Sequence, residues 1–120
     1  AHHGFLIAAP EYNGCITPLL KNTIDWASRV ESKDEPPLSC YRGKTAALVS
    51  ASPGGFGGMR GLVTVRALLG NLGVTLVPSQ VCISAAYQAF AERGQLADAK
   101  KQEAVQGMGR ALAEMTGKLV

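Results

Sequence analysis

Three short apolar runs, each followed by a stretch of helical periodicity, predict an α/β domain built on a parallel sheet with helices on both faces. The length agrees with this, because 120 residues is the size of one domain and residues 1–120 are read as a single unit. Composition agrees as well: 47% hydrophobic and 18% charged residues exclude a disordered chain. No apolar run approaches the ~18 residues that a membrane-spanning helix needs, and no secretory signal is expected.

The first run, Phe5-Leu6-Ile7-Ala8-Ala9, stops at Pro10 and reads as a strand buried on both faces. Glu11-Tyr12-Asn13-Gly14 has the composition of a turn. Thr17-Pro18 then opens a helix, with Thr as its cap and Pro at the first helical position. Leu19, Leu20, Thr23, Ile24 and Ala27 share one face of that helix. The charged, proline-containing stretch from Glu31 to Pro37 is a solvated loop.

Thr45–Ser50 is the second buried strand and runs directly into Ser52-Pro53-Gly54-Gly55-Phe56-Gly57-Gly58. A helix with Leu62, Val65, Leu69 and Leu72 follows and is capped by Gly73. Val74–Pro78 and Val81–Ile83 make a third extended region, and Ala85–Gln95 a short helix or turn ending near Gly94. Asp98 caps the last helix, whose Val105, Met108, Leu112, Met115 and Leu119 stripe packs on the sheet or on another subunit.

In an open parallel sheet, ligands bind outside the carboxyl ends of the strands. Two loops of unusual composition leave strand ends here, at Pro10–Gly14 and at Ser50–Gly58, and they share one edge if the strands are parallel neighbours. Glycines leave backbone N–H groups open to a phosphate or to the carbonyls of a planar ring. The alternative reading of the same glycines is a tight strand-to-helix connection that needs positive φ. Tyr12 adds an aromatic face, and Glu11 and Asn13 add polar groups. Neither loop matches the dinucleotide or Walker A fingerprint.

Cys15, Cys40 and Cys82 match no metal-ligand spacing; they read as small buried or half-buried thiols in a reducing compartment. With His2 and His3 the only histidines, neither a Ser-His-Asp triad nor a zinc centre can be assembled inside the domain. Lys21 and Asp25 form a surface pair at i and i+4, and Trp26 reads as a core or interface residue. The net charge of +3 is weak and scattered, which argues against nucleic acid. This shortage of acid–base groups favours chemistry carried by a cofactor.

Ala9-Pro10-Glu11-Tyr12-Asn13-Gly14, then Pro18 and Leu20-Lys21-Asn22-Thr23-Ile24-Asp25-Trp26, resembles the NADPH-dependent FMN reductase family. Ser50–Gly58, with Arg60-Gly61-Leu62 and Arg66 behind it, is similar to the same family, and the likeness covers essentially the whole chain. It implies a flavodoxin-like three-layer α/β/α fold, FMN as cofactor, NADPH or NADH as donor, and a cytoplasmic enzyme. The implied acceptors are small molecules: flavins, quinones, azo dyes or metal oxyanions. Carried over by residue, Pro10, Glu11, Tyr12 and Asn13 would form the loop along the isoalloxazine ring. Ser52, Pro53, Gly54, Gly55 and Phe56 would flank its other side. Hydride would pass from nicotinamide to the flavin and on to an acceptor, with no catalytic side chain. The helix carrying Lys21, Asp25 and Trp26 would lie near a dimer interface, so a homodimer or tetramer is expected.

The family's Gly-Ser-x-Arg phosphate loop has no counterpart in this sequence, and the chain is expected to lack the first strands of the fold. Phe5–Ala9 would then carry an exposed edge. A non-catalytic homologue that acts as an oligomeric or partner-binding module is therefore the alternative to an active reductase.

Overall fold

The computed structural model describes residues 2–120. β1 (Gly4–Ala8), β4 (Thr45–Ala51) and β5 (Thr75–Ile83) form a parallel sheet in the order β1-β4-β5. Between β1 and β4 lie β2 (Glu11–Tyr12), β3 (Cys15–Ile16) and α1 (Pro18–Ala27). α2 (Met59–Asn71) connects β4 to β5, and α3 (Ala86–Ala89) and α4 (Ala99–Leu119) complete the chain. The expected alternation of strand and helix holds.

β2 and β3 are an addition to it: a short antiparallel hairpin turning on Asn13 and Gly14, whose φ angles are 54° and 81°. Asn-Gly is the pair that tolerates two successive positive φ values. Strands of two residues are too short to reveal a period in sequence, so only the turn was legible there.

The predicted caps are in place. Thr17 Oγ1 accepts the Leu20 N–H at 3.3 Å, Pro18 opens α1, and Asp98 accepts the Lys100 N–H at 2.8 Å to open α4. α2 begins at Met59, a turn earlier than its apolar stripe indicates. Its C-terminal cap is Leu72, and Gly73 follows at φ 82°.

The sheet is covered on both faces, giving three α/β/α layers. On one face Ile24 of α1 and Leu62, Val65 and Leu69 of α2 pack on Ala46 and Leu48. On the other, Met108, Leu112 and Met115 of α4 pack on Ala47 and Val77, as helix-to-sheet packing predicts. β4 is buried almost throughout.

β1 differs from the doubly buried strand expected. Leu6 is 55% exposed and Ala8 is exposed; α4 packs closely on the start of β1, where a Cβ on Gly4 would meet Thr116 and Leu112. The third extended region is the single strand β5. β5 bulges at residues 77–79, so that Leu76 pairs with Ala46 but Gln80 pairs with Leu48. Arg66 donates to the Val77 carbonyl at 3.1 Å and the Ser79 carbonyl at 3.4 Å on that bulge.

Gly57 has a φ of 60°, and a Cβ there would lie 2.8 Å from the Ile83 carbonyl carbon and 2.9 Å from that of Cys82. Those are backbone atoms of a buried strand end and cannot step aside. Gly57→Ala should destabilise the fold by about 2–4 kcal/mol, combining a left-handed penalty with an overpacking cost. Urea unfolding measures this, and a loss under about 0.5 kcal/mol, the range of an ordinary surface substitution, contradicts the assignment.

Candidate functional site

β1 and β4 run parallel and in direct register, Phe5 against Ala46 and Ala8 against Val49. Their carboxyl ends therefore reach one edge together, and the two loops picked out in sequence leave that edge side by side.

The glycine loop divides into two halves. Gly57 and Gly58 are buried, and a Cβ on Gly58 would meet the Ser50 side chain at 2.9 Å. The Ser50 hydroxyl donates to the Gly57 carbonyl at 2.6 Å and fixes this half under the sheet. Pro53, Gly54, Gly55 and Phe56 are exposed. A Cβ on Gly55 would meet nothing within 4 Å, and one on Gly54 only Ser52 Oγ at 3.8 Å. The glycines thus differ by position: tight connection at 57–58, open backbone at 54–55.

The open half is still anchored. Ser52 N–H donates to Ile83 O at 3.0 Å, Ala86 N–H to Ser52 O at 3.1 Å, and Ser52 Oγ accepts the Gly54 N–H at 3.3 Å. The segment after β5 therefore buttresses the loop, with Ala85 held at φ 48° to do so. Nothing in the composition of Ser84-Ala85-Ala86 marks it for that role.

In the other loop Pro10, Tyr12 and Asn13 are exposed, while the Glu11 side chain is only 9% exposed. Glu11 Oε1 accepts Arg60 Nη2 at 2.6 Å and Nε at 3.1 Å, and Oε2 accepts the Gly61 N–H at 3.2 Å. The hairpin lies directly on the start of α2, where a Cβ on Gly61 would come within 3.1 Å of the Cys15 carbonyl. Arg60 also places its guanidinium 5.7 Å from the centre of the Phe56 ring. Its partner stands 49 residues away, which sequence spacing cannot reveal.

Beyond the two loops, Trp26 is 73% exposed, so it is not a core residue. Cys15 and Cys40 are exposed rather than buried, because one sits on the narrow hairpin and the other on an outer loop; Cys82 is half-buried. Among the described residues no cluster of His, Cys, Asp or Glu could hold a metal, and no helix is long and apolar enough to cross a membrane.

Comparison with known families matches residues 1–88 to the NADPH-dependent FMN reductase description. The chain belongs to this family. Within the NADPH-dependent FMN reductases it is 42% identical over 113 residues to the NAD(P)H-dependent FMN reductase of Pseudomonas aeruginosa, covering 93% of this chain and 58% of that relative. An NAD(P)H:quinone oxidoreductase of Solanum tuberosum is 52% identical over 62 residues, 52% of this chain and 28% of its own length. The chain thus spans less than two thirds of these relatives.

Among solved structures, the flavoenzyme NAD(P)H:(acceptor) oxidoreductase of Paracoccus denitrificans superimposes with a TM-score of 0.78 at 28% identity. The match covers 95% of this chain and 60% of that one. A flavodoxin of Pseudomonas aeruginosa, 19% identical with a TM-score of 0.56, shows the same fold, which is therefore flavodoxin-like as expected.

Burial pushes the Glu11 carboxyl up, but the Arg60 hydrogen bond, the Gly61 amide and the Arg60 charge outweigh it and hold the group below its ordinary value. A carboxyl depressed in the folded state stabilises above its unfolded value and loses that contribution as pH falls through the folded value. The melting-temperature gap between the parent chain and Glu11→Gln should therefore narrow below about pH 4.3. A gap that stays constant down to the acid transition would show that the carboxylate charge contributes nothing.

Proposed function

We propose that the chain is the ring-binding part of an NAD(P)H-dependent FMN oxidoreductase that passes electrons to a small-molecule acceptor such as a quinone, a flavin, an azo compound or a metal oxyanion. The observation that carries this reading is the open backbone at Gly54 and Gly55, beside a hairpin tipped by the exposed Tyr12, on a chain of this family. Two features support a flat ring with polar edges as the occupant. Glycines without a neighbour leave room for close backbone approach, and exposed Tyr12 and Phe56 offer apolar faces.

Bound FMN supplies the hydride and electron transfer that no side chain here provides. The protein's part is to bind and orient. Pro10, Tyr12 and Asn13 would line one side of the ring, and Ser52, Pro53, Gly54, Gly55 and Phe56 the other. The Glu11 carboxylate, engaged by Arg60 and Gly61, orders the loop from behind. Relatives named for FMN, quinone and azo substrates support this acceptor class. Three free cysteines support a cytoplasmic setting.

The FMN titration, followed by quenching of flavin fluorescence, should saturate in the micromolar range. Gly55→Val should weaken it at least about tenfold while leaving the melting temperature nearly unchanged, since its side chain would enter space that only a ligand uses. Absence of quenching by the parent chain sinks the flavin reading. It leaves the non-catalytic module, which the exposed edge of β1 at Leu6 favours.

A second copy of the chain is the proposed partner for α1. Leu19 (77% exposed) and Trp26 stand out on it, and the Lys21–Asp25 pair at 2.6 Å is self-complementary across a two-fold axis. Trp26→Arg should shift the molecule to a monomer in sedimentation; an unchanged mass relocates the interface elsewhere.

A further inference from the structure

Arg60 touches both loops of the site. Its Nη2 and Nε bond Glu11 Oε1 at 2.6 and 3.1 Å. Its Cζ would lie 3.6 Å from a Cβ on Gly14, so the guanidinium also rests on the hairpin turn. Its other contact is the Phe56 ring, at the tip of the glycine loop.

Exposed ion pairs usually contribute little, and Arg60 itself is 60% exposed. Two features separate this pair from that ordinary case. Glu11 is nearly enclosed, and all of its bonding capacity is directed at α2: Oε1 to the guanidinium and Oε2 to the Gly61 N–H. The planar guanidinium, besides, can bond a carboxylate in its plane while stacking on a ring with its face, which an ammonium cannot do.

We propose that Arg60 is a positioning residue: a strut between the Glu11 hairpin and Phe56 that fixes the spacing of the two loops before a ligand arrives. Its consequence for flavin rests on the function proposed above. Preorganised loops bind a rigid ring without the ordering cost that mobile loops incur.

The test uses Arg60→Met, Arg60→Lys, Glu11→Gln and the double variant Glu11→Gln/Arg60→Met, with two readouts. The first needs no flavin: amide hydrogen exchange at Gly57, Met59 and Gly61, whose N–H groups bond Gly54 O, Phe56 O and Glu11 Oε2. Exchange there should quicken about tenfold in Arg60→Met, with other helices unaffected. The second is the affinity for FMN and for riboflavin, which has the ring without the phosphate. Both should fall by one common factor, about tenfold, and the long-wavelength band of the bound flavin should lose structure.

Arg60→Lys should not rescue either readout, and the double variant should be no weaker than the worse single one. Unchanged exchange overturns the strut, as do additive losses in the double variant. Faster exchange with unchanged affinities overturns the positioning role. No flavin binding by the parent chain together with faster exchange in Arg60→Met removes the flavin reading and keeps the strut.

Discussion

The parallel pairing of β1 with β4 is the constraint on which the rest of the structure depends. Because Ala8, the end of β1, stands opposite Val49, near the end of β4 at Ala51, the chain leaves both strands at one edge. Every feature of the candidate site follows from that coincidence. The Glu11 hairpin and the Ser52–Gly58 loop become neighbours although they are some forty residues apart in sequence. A slip of one residue would turn Phe5 and Ile7 away from the α1–α2 core and move the hairpin off the start of α2.

Two kinds of glycine serve this arrangement, and they do opposite work. Gly57 and Gly61 let backbone approach backbone and Gly58 makes room for the Ser50 side chain, so α2 can start close to the end of β5 and against the hairpin. Gly54 and Gly55 face no neighbour and leave an open surface. The first group settles where the loop sits, and the second settles what can approach it. Ser50 and the segment at Ala85 hold the boundary between the two halves.

The two outer strands of the sheet are treated differently. β5 bulges around Pro78, which has no N–H to offer, and Arg66 donates to the carbonyls of Val77 and Ser79. That stretch of the edge is less suited to further pairing. β1 carries no proline and pairs with β4 without a bulge, and its Leu6 is exposed. A flat apolar strand of this kind is suited to accepting a neighbour. The chain spans less than two thirds of the length of the relatives it matches.

The sequence by itself determined the layers. Apolar runs bounded by Pro10 and Gly73, helix caps at Thr17 and Asp98, and helical stripes through Leu62 and Met108 are local signals, and local signals survive without coordinates. It also marked both loops, because Asn13-Gly14 and four glycines within five residues are statements about backbone conformation. What only the tertiary structure decided is which groups meet. The Glu11–Arg60 pair, the support from Ala86, the division of the glycines and the exposure of Leu6 and Trp26 all depend on contacts between distant segments. Residue type and spacing carry no record of such contacts, since they arise only when the register of the sheet brings its strand ends together.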